Sequence, residues 1–237
     1  EIPEQDQAQA RASVAGILKD VRVRGDEALV ELSNRFDGQS VSDMAALSIG
    51  RDQLLEAYES IDDLVRDALI ESADRVRDYH EHQKSSIASG DGWRYTDNMG
   101  NHLGQSIRPM SRVGIYAPGG KAAYPSTVIM TAIPAKVAGV NEMILCVPTP
   151  RGELNSTLLA AAHLCGIDQV FALGGAQAIA AMAFGTETVP KVDKIVGPGN
   201  IYVATAKEMV FGNVGIDMIA GPSEVVIVAD DSADPNW

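Results

Sequence analysis

The stretch FALGGAQAIAAMAFGTETVPKVDKIVGPGN, residues 171–200, decides the fold. An apolar run closes on Gly174-Gly175, and a small-residue segment of helical length follows from about 175 to 184. A second apolar run at 193–196 closes on Gly197-Pro198-Gly199-Asn200, where another helical pattern begins at once. Short apolar runs bounded by glycine read as strands, and longer runs between them read as helices. Strands that alternate with helices at this spacing belong to a parallel sheet, because a parallel pair needs a crossover between its members.

The same alternation extends outward through residues 110–237. Strands are predicted near 112–116, 142–147, 169–173, 193–196 and 225–229, with helices near 126–138, 153–165, 175–184 and 200–211. Pro134 falls inside the first of these helices and predicts a kink or a break near Ile133. The predicted class is α/β: a Rossmann-like, mostly parallel sheet with helices on both faces and right-handed crossovers.

Residues 1–109 read instead as a mainly helical segment. Ala10, Val14, Ile17 and Val21 recur at helical spacing until Gly25 stops them, and Asp26 is predicted to cap a second helix that carries Ala28, Leu29, Leu32 and Phe36. Asp37-Gly38 marks a turn, a strand-like stretch leads to Ile49, and a helix starts at about Arg51. A longer helix after Asp62 shows the stripe Val65, Leu69, Ala73, Val76 and Tyr79. Two alternating runs, Trp93 to Tyr95 and His102 to Ile107, predict a hairpin. The domain boundary is placed after it, giving 1–109 and 110–237.

Composition narrows the function. With 46% hydrophobic residues the chain can build a core, yet its longest apolar run, Val170 to Phe184, is broken by glycines and a glutamine. It falls short of the roughly 20 apolar residues of a membrane span. The net charge of −13 argues against nucleic-acid and anionic-membrane partners, which would repel the chain. That charge is uneven: residues 1–109 hold 12 Lys/Arg against 21 Asp/Glu, and residues 110–237 hold 7 against 11, so the second half better suits an anionic ligand. Cys146 and Cys165 read as buried free thiols, and no export leader is visible, which together predict a cytoplasmic protein.

In open parallel sheets ligands bind beyond the carboxyl ends of the strands. Three loops there are glycine-rich: Tyr116-Ala117-Pro118-Gly119-Gly120-Lys121, Gly174-Gly175-Ala176-Gln177 and Gly197-Pro198-Gly199-Asn200. Any one of them is most often only a tight turn, but three at one sheet edge predict a crevice. The last two run into helices whose free N–H groups can receive an anion. The standard Gly-x-Gly-x-x-Gly fingerprint and the Walker loop are both absent, so these residues point to a nucleotide-like anion without naming it. His80, His82, His102 and His163 lack metal-ligand spacing. Ser126 and Ser223 lack the Gly-x-Ser-x-Gly elbow of a nucleophilic hydrolase. Gly221-Pro222-Ser223-Glu224 offers a hydroxyl and a carboxylate near the crevice.

Four stretches carry a resemblance: VRVRGDEALVELSNRFD at 21–37, VGIYAPGGKAAYPSTVIM at 113–130, the 171–200 block and IDMIAGPSEVVIVAD at 216–230. Together they resemble histidinol dehydrogenase nearly end to end. The resemblance implies a zinc-dependent homodimer that oxidises L-histidinol to L-histidine through an aldehyde, with two NAD reductions, at the end of histidine biosynthesis. Matched position by position, it implies NAD contacts at Tyr116, Gln177 and Asn200 and a substrate contact at Ser223. It also implies that the zinc ligands and the Glu-His acid/base pair lie beyond Trp237, so that this chain is a truncated piece, inactive by itself. Two other readings stand beside it: a related NAD-dependent dehydrogenase for another small alcohol, and a non-catalytic interaction module.

Overall fold

The computed structural model describes residues 4–87, 92–119, 124–219, 225–230 and 232–234. Helices α1 (Glu4–Arg24) and α2 (Asp26–Phe36) meet at Gly25, whose φ of 55° suits glycine. Asp26 does not cap α2, contrary to the sequence expectation, because it is already the first helical residue and Gly25 at the cap position has no side chain. The cap arrives from elsewhere in the chain. The Asp26 N–H donates to Glu187 Oε2 at 3.0 Å, and the Asp26 carboxylate accepts the Thr188 hydroxyl at 2.5 Å.

A 3-10 turn at Met44–Leu47 leads into β1 (Ser48–Ile49), then α3 (Arg51–Ser60) and α4 (Asp63–Ile87). Of the stripe expected on α4, Leu69 and Ala73 are buried, whereas Tyr79 remains largely exposed. The hairpin follows as β2 (Gly92–Thr96) and β3 (His102–Ser106), paired antiparallel from Gly92↔Ser106 to Thr96↔His102.

The alternating part then runs β4 (Arg112–Tyr116), α5 (Pro125–Ala138), β5 (Glu142–Cys146), α6 (Ser156–Cys165), β6 (Gln169–Phe171), α7 (Gly175–Phe184), β7 (Lys194–Val196), α8 (Ile201–Val210) and β8 (Gly215–Ile216). The sheet order is β1-β6-β5-β4-β7-β8, with every pair parallel except β1 with β6. Chain order leaves β4 in one direction through β5 to β6, then crosses back to β7 on the other side of β4. That reversal is a topological switch point. Helices α3, α4, α5 and α6 pack together, and α1, α2, α7 and α8 form a second group. The expected α/β class, mostly parallel with helices on two faces, is therefore observed.

Two further expectations change. Of the kink or break expected near Ile133, the break does not occur, because helix α5 continues through Pro134. Proline there forfeits one backbone bond and crowds the previous turn, but buried Val128, Ile129, Ala132 and Ile133 anchor the helix on the sheet. The strand expected at 225–229 does not form: residues 225–230 belong to no strand, and Val225 to Val228 are exposed. β-branched residues favour a strand only where a partner supplies the ladder, and none of the described residues does. The short β8 takes the edge beside β7 instead.

Helix α7 shows how sequence sets the packing. It is buried from Ala176 to Ala183. A helix apolar on every side belongs inside, and its alanines let it lie close between the sheet and α1. Gly114 in the middle of β4 leaves room for it, since a Cβ there would stand 2.6 Å from Met182 Sδ. Burying Ile179 and Met182 contributes about 1.5–3 kcal/mol each. One contiguous core holds residues from both sequence segments, from Val14 to Val214.

Candidate functional site

Parallel strands end at one edge of the sheet, so the loops after β4, β6 and β7 come together there. Between them and helices α1 and α2 lies a cleft of about 1240 Å³. Ligand pockets usually measure about 300–1,000 Å³, so this one has room for an extended ligand. Tyr116, Gly119, Gly175, Gln177, Gly199 and Asn200 line the sheet side, and Lys19, Arg24, Phe36 and Asp37 line the helical side.

Tyr116 is the last residue of β4 and is buried, and its hydroxyl accepts the Gly175 N–H at 3.1 Å. Burial, foremost, pushes its pKa up to about 12, so the phenol stays protonated. Gln177, on the first turn of α7, is 2% exposed, and its Nε2 has no hydrogen-bond partner among the described residues. A buried amide without a partner costs roughly 1–3 kcal/mol, so a ligand that supplies an acceptor here would recover that cost.

Asn200 caps α8. Its Oδ1 accepts the N–H groups of Tyr202 at 3.0 Å and Val203 at 3.1 Å. These bonds narrow the expectation that both helices offer free N–H groups to an anion. At α7 the Gly175 N–H is held by Tyr116, while no group among the described residues holds those of Ala176 and Gln177, and at α8 two are held by Asn200.

The structure thus brings Tyr116, Gln177 and Asn200 to one cleft. Ser223, the expected substrate contact, lies outside the described residues, as do Gly120 and Lys121 of the first loop. Cys146 and Cys165 are buried free thiols. His163 packs its ring on Tyr58, and on α4 His82 stands exposed and His80 half-buried. Among the described residues no three His, Cys, Asp or Glu side chains are grouped to hold a metal ion. No described helix is long and apolar enough to cross a membrane.

The helical wall escaped the strand-end reading, since that rule looks only at the sheet. Arg24 is engaged by Asp20 at 2.6 Å and Glu31 at 2.8 Å, with Glu27 at 3.3 Å, so little of its charge remains for a ligand. Asp37 ends α2 beside Gly174, and its Oδ2 has no hydrogen-bond partner among the described residues. Burial raises its pKa, and a backbone hydrogen bond from Gly174 opposes the rise. Phe36, Tyr124 and Tyr202 present half-exposed rings to the cleft. The Asp37-Gly38 turn signal was the one sign in the sequence that the chain bends back here.

This architecture has relatives. The family model for histidinol dehydrogenase matches residues 1–237. A histidinol dehydrogenase from Pseudomonas savastanoi pv. phaseolicola is 59% identical over 224 residues, covering 94% of this chain and 49% of that protein. One from Chromobacterium violaceum is 58% identical over 226 residues, covering 95% of this chain and 51% of that protein. The crystal structure of histidinol dehydrogenase from Elizabethkingia anophelis superposes with a TM-score of 0.84 at 36% identity, covering 95% of this chain and 51% of that one. The chain spans about half the length of the curated relatives it matches. With the family model matched from its first residue to its last, this chain belongs to the histidinol dehydrogenase family.

Proposed function

We propose that the cleft binds NAD and that the chain provides the dinucleotide-binding part of an enzyme oxidising L-histidinol to L-histidine. The observation that carries this reading is the convergence of Tyr116, Gln177 and Asn200 on one cleft at the switch point of the sheet. The cleft fits the cofactor in chemistry as well as in size: Gln177 Nε2 is a buried donor lacking an acceptor, and exposed rings offer faces for a planar base. When bound, NAD supplies the hydride acceptor.

The chain's own residues bind and orient. Tyr116 fixes the start of α7 and so sets where the Gln177 side chain stands. Gln177 donates to the ligand, and Asn200 holds the start of α8 through its oxygen and donates to the ligand through its amide nitrogen. The rest of the reading follows family membership: zinc as a second cofactor, a homodimer, and a cytoplasmic location. No step is derived through zinc, because the described residues contain no ligand set for it. Ser223 is retained as the proposed substrate contact, and residues 110–237 as the proposed dinucleotide-binding domain.

Calorimetric titration of NAD into the chain and its Gln177→Ala variant tests the reading. The variant should lose roughly 0.5–3 kcal/mol of binding free energy, the range for a hydrogen bond. Equal affinities would refute the assignment of Gln177.

A further inference from the structure

Lys207 on α8 is 4% exposed, a depth at which an ammonium group is rare unless paired. Desolvating such a group costs several kcal/mol, so its partners show what holds it there. The ammonium pairs with Asp217 Oδ1 and donates to the Gly197 carbonyl at 2.8 Å. The other carboxylate oxygen of Asp217 accepts the Gly197 N–H at 2.8 Å. Both polar groups of Gly197 are therefore held by one ion pair, whose ammonium is buried and whose carboxylate is partly exposed.

Gly197 begins the turn that leads through Pro198 and Gly199 to Asn200, and those three residues line the cleft. Its φ of 111° is open to glycine alone, and a Cβ there would overlap the Tyr116 carbonyl oxygen. The turn thus lies directly on the backbone of the residue whose hydroxyl caps α7. Any displacement of Gly197 is transmitted to Tyr116 on one side and to Asn200 on the other.

We propose that Lys207 and Asp217 are positioning residues that hold the Gly197–Asn200 turn in the conformation that receives the dinucleotide. The proposal rests on the NAD reading of the cleft and adds the device that shapes it. Neither side chain touches the ligand; both act through the Gly197 peptide.

The test compares the chain with its Lys207→Met/Asp217→Asn double variant, which buries no lone charge and keeps a carbonyl oxygen at position 217. Calorimetry with NAD, thermal unfolding, and the Gly197 amide resonance in a 1H–15N spectrum are read on both. The double variant should stay folded, shift the Gly197 amide, and bind NAD about fivefold more weakly or worse. A purely structural pair would change the unfolding midpoint and leave NAD affinity intact. Lys207→Met alone, which leaves only the partly exposed Asp217 carboxylate, repeats the comparison if the double variant does not fold. Folded variants that bind NAD within about twofold of wild type overturn the positioning role while leaving the NAD reading in place. A wild-type chain with no saturable response to NAD overturns both, and the two failures are distinguished by which protein fails to bind.

Discussion

The Tyr116 hydroxyl accepts the Gly175 N–H at 3.1 Å, tying the end of β4 to the first turn of α7. A helix leaves its first N–H groups without intrahelical partners, so a buried phenol serves here as a cap from another strand. Tyr116→Phe removes the acceptor and keeps the ring. Unfolding in urea should show a loss of about 1 kcal/mol. Because burial pushes the phenol up to about 12, the wild type should keep this advantage unchanged throughout the neutral range.

Asn200 combines two duties that substitutions can separate. Asn200→Ala removes the cap on Tyr202 and Val203 and should cost about 1 kcal/mol of stability as well as NAD affinity. Asn200→Asp keeps the capping oxygen and places a negative charge at the helix start. Its stability should return to near wild type, while binding of an anionic dinucleotide stays weakened. Paired thermal melts and NAD titrations give the answer; full recovery of both by Asp would make Asn200 a cap and nothing more.

Asp37 predicts a pH dependence whose sign follows from burial. Its folded pKa is raised above the ordinary carboxylate value. Between the unfolded and folded values the native state binds more protons than the unfolded state, so stability falls as pH rises through that window. Above it, the buried charge remains a cost. Asp37→Asn should remove this decline, so that across the window the variant's stability rises more steeply with pH, or falls less, than the wild type's, and the protein should be no less stable at neutral pH. A variant whose stability falls further with pH over that window than the wild type's would contradict this.

The two thiols should be inert in the native state. Burial pushes Cys146 up to about 12 and, more than any other cause, Cys165 up to about 11, and the reactive thiolate is scarce at neutral pH. Native protein should give no rapid reaction with an aromatic disulfide reagent, and denatured protein should release both equivalents. In the alkaline range the unfolded thiols ionise first, so stability should decline as pH rises from near 9 toward the folded values.

What the sequence made legible was whatever depends on local pattern. Apolar runs closing on glycine or proline located β4 through β7, the strand-end rule found the loops that hold Tyr116, Gln177 and Asn200, and the family resemblance singled out those three residues. Contacts made at a distance were invisible. Glu187, not Asp26, caps α2, because the N-terminus of that helix meets the loop after α7 in space. Pro134 stays helical because burial of the same turn outweighs its local penalty. Val225 to Val228 have strand character without a strand to join. Asp37 and Phe36 reach the cleft only because α2 docks beside α7, which no short-range signal encodes. The Lys207–Asp217 pair depends likewise on β8, a two-residue strand too short to read from periodicity.

The placement of β1 and α1 governs the order in which the protein can mature during synthesis. Residues 48–49 pair with residues 170–171, and the first helix packs on α7 and α8. At about 5–20 residues per second, helix α1 waits on the order of ten seconds for α7 and α8 to be made. Through that interval Val14, Leu18 and Val21 lack the cover of those two helices. Helix α1 leaves the ribosome ahead of the surface it packs on and settles after it.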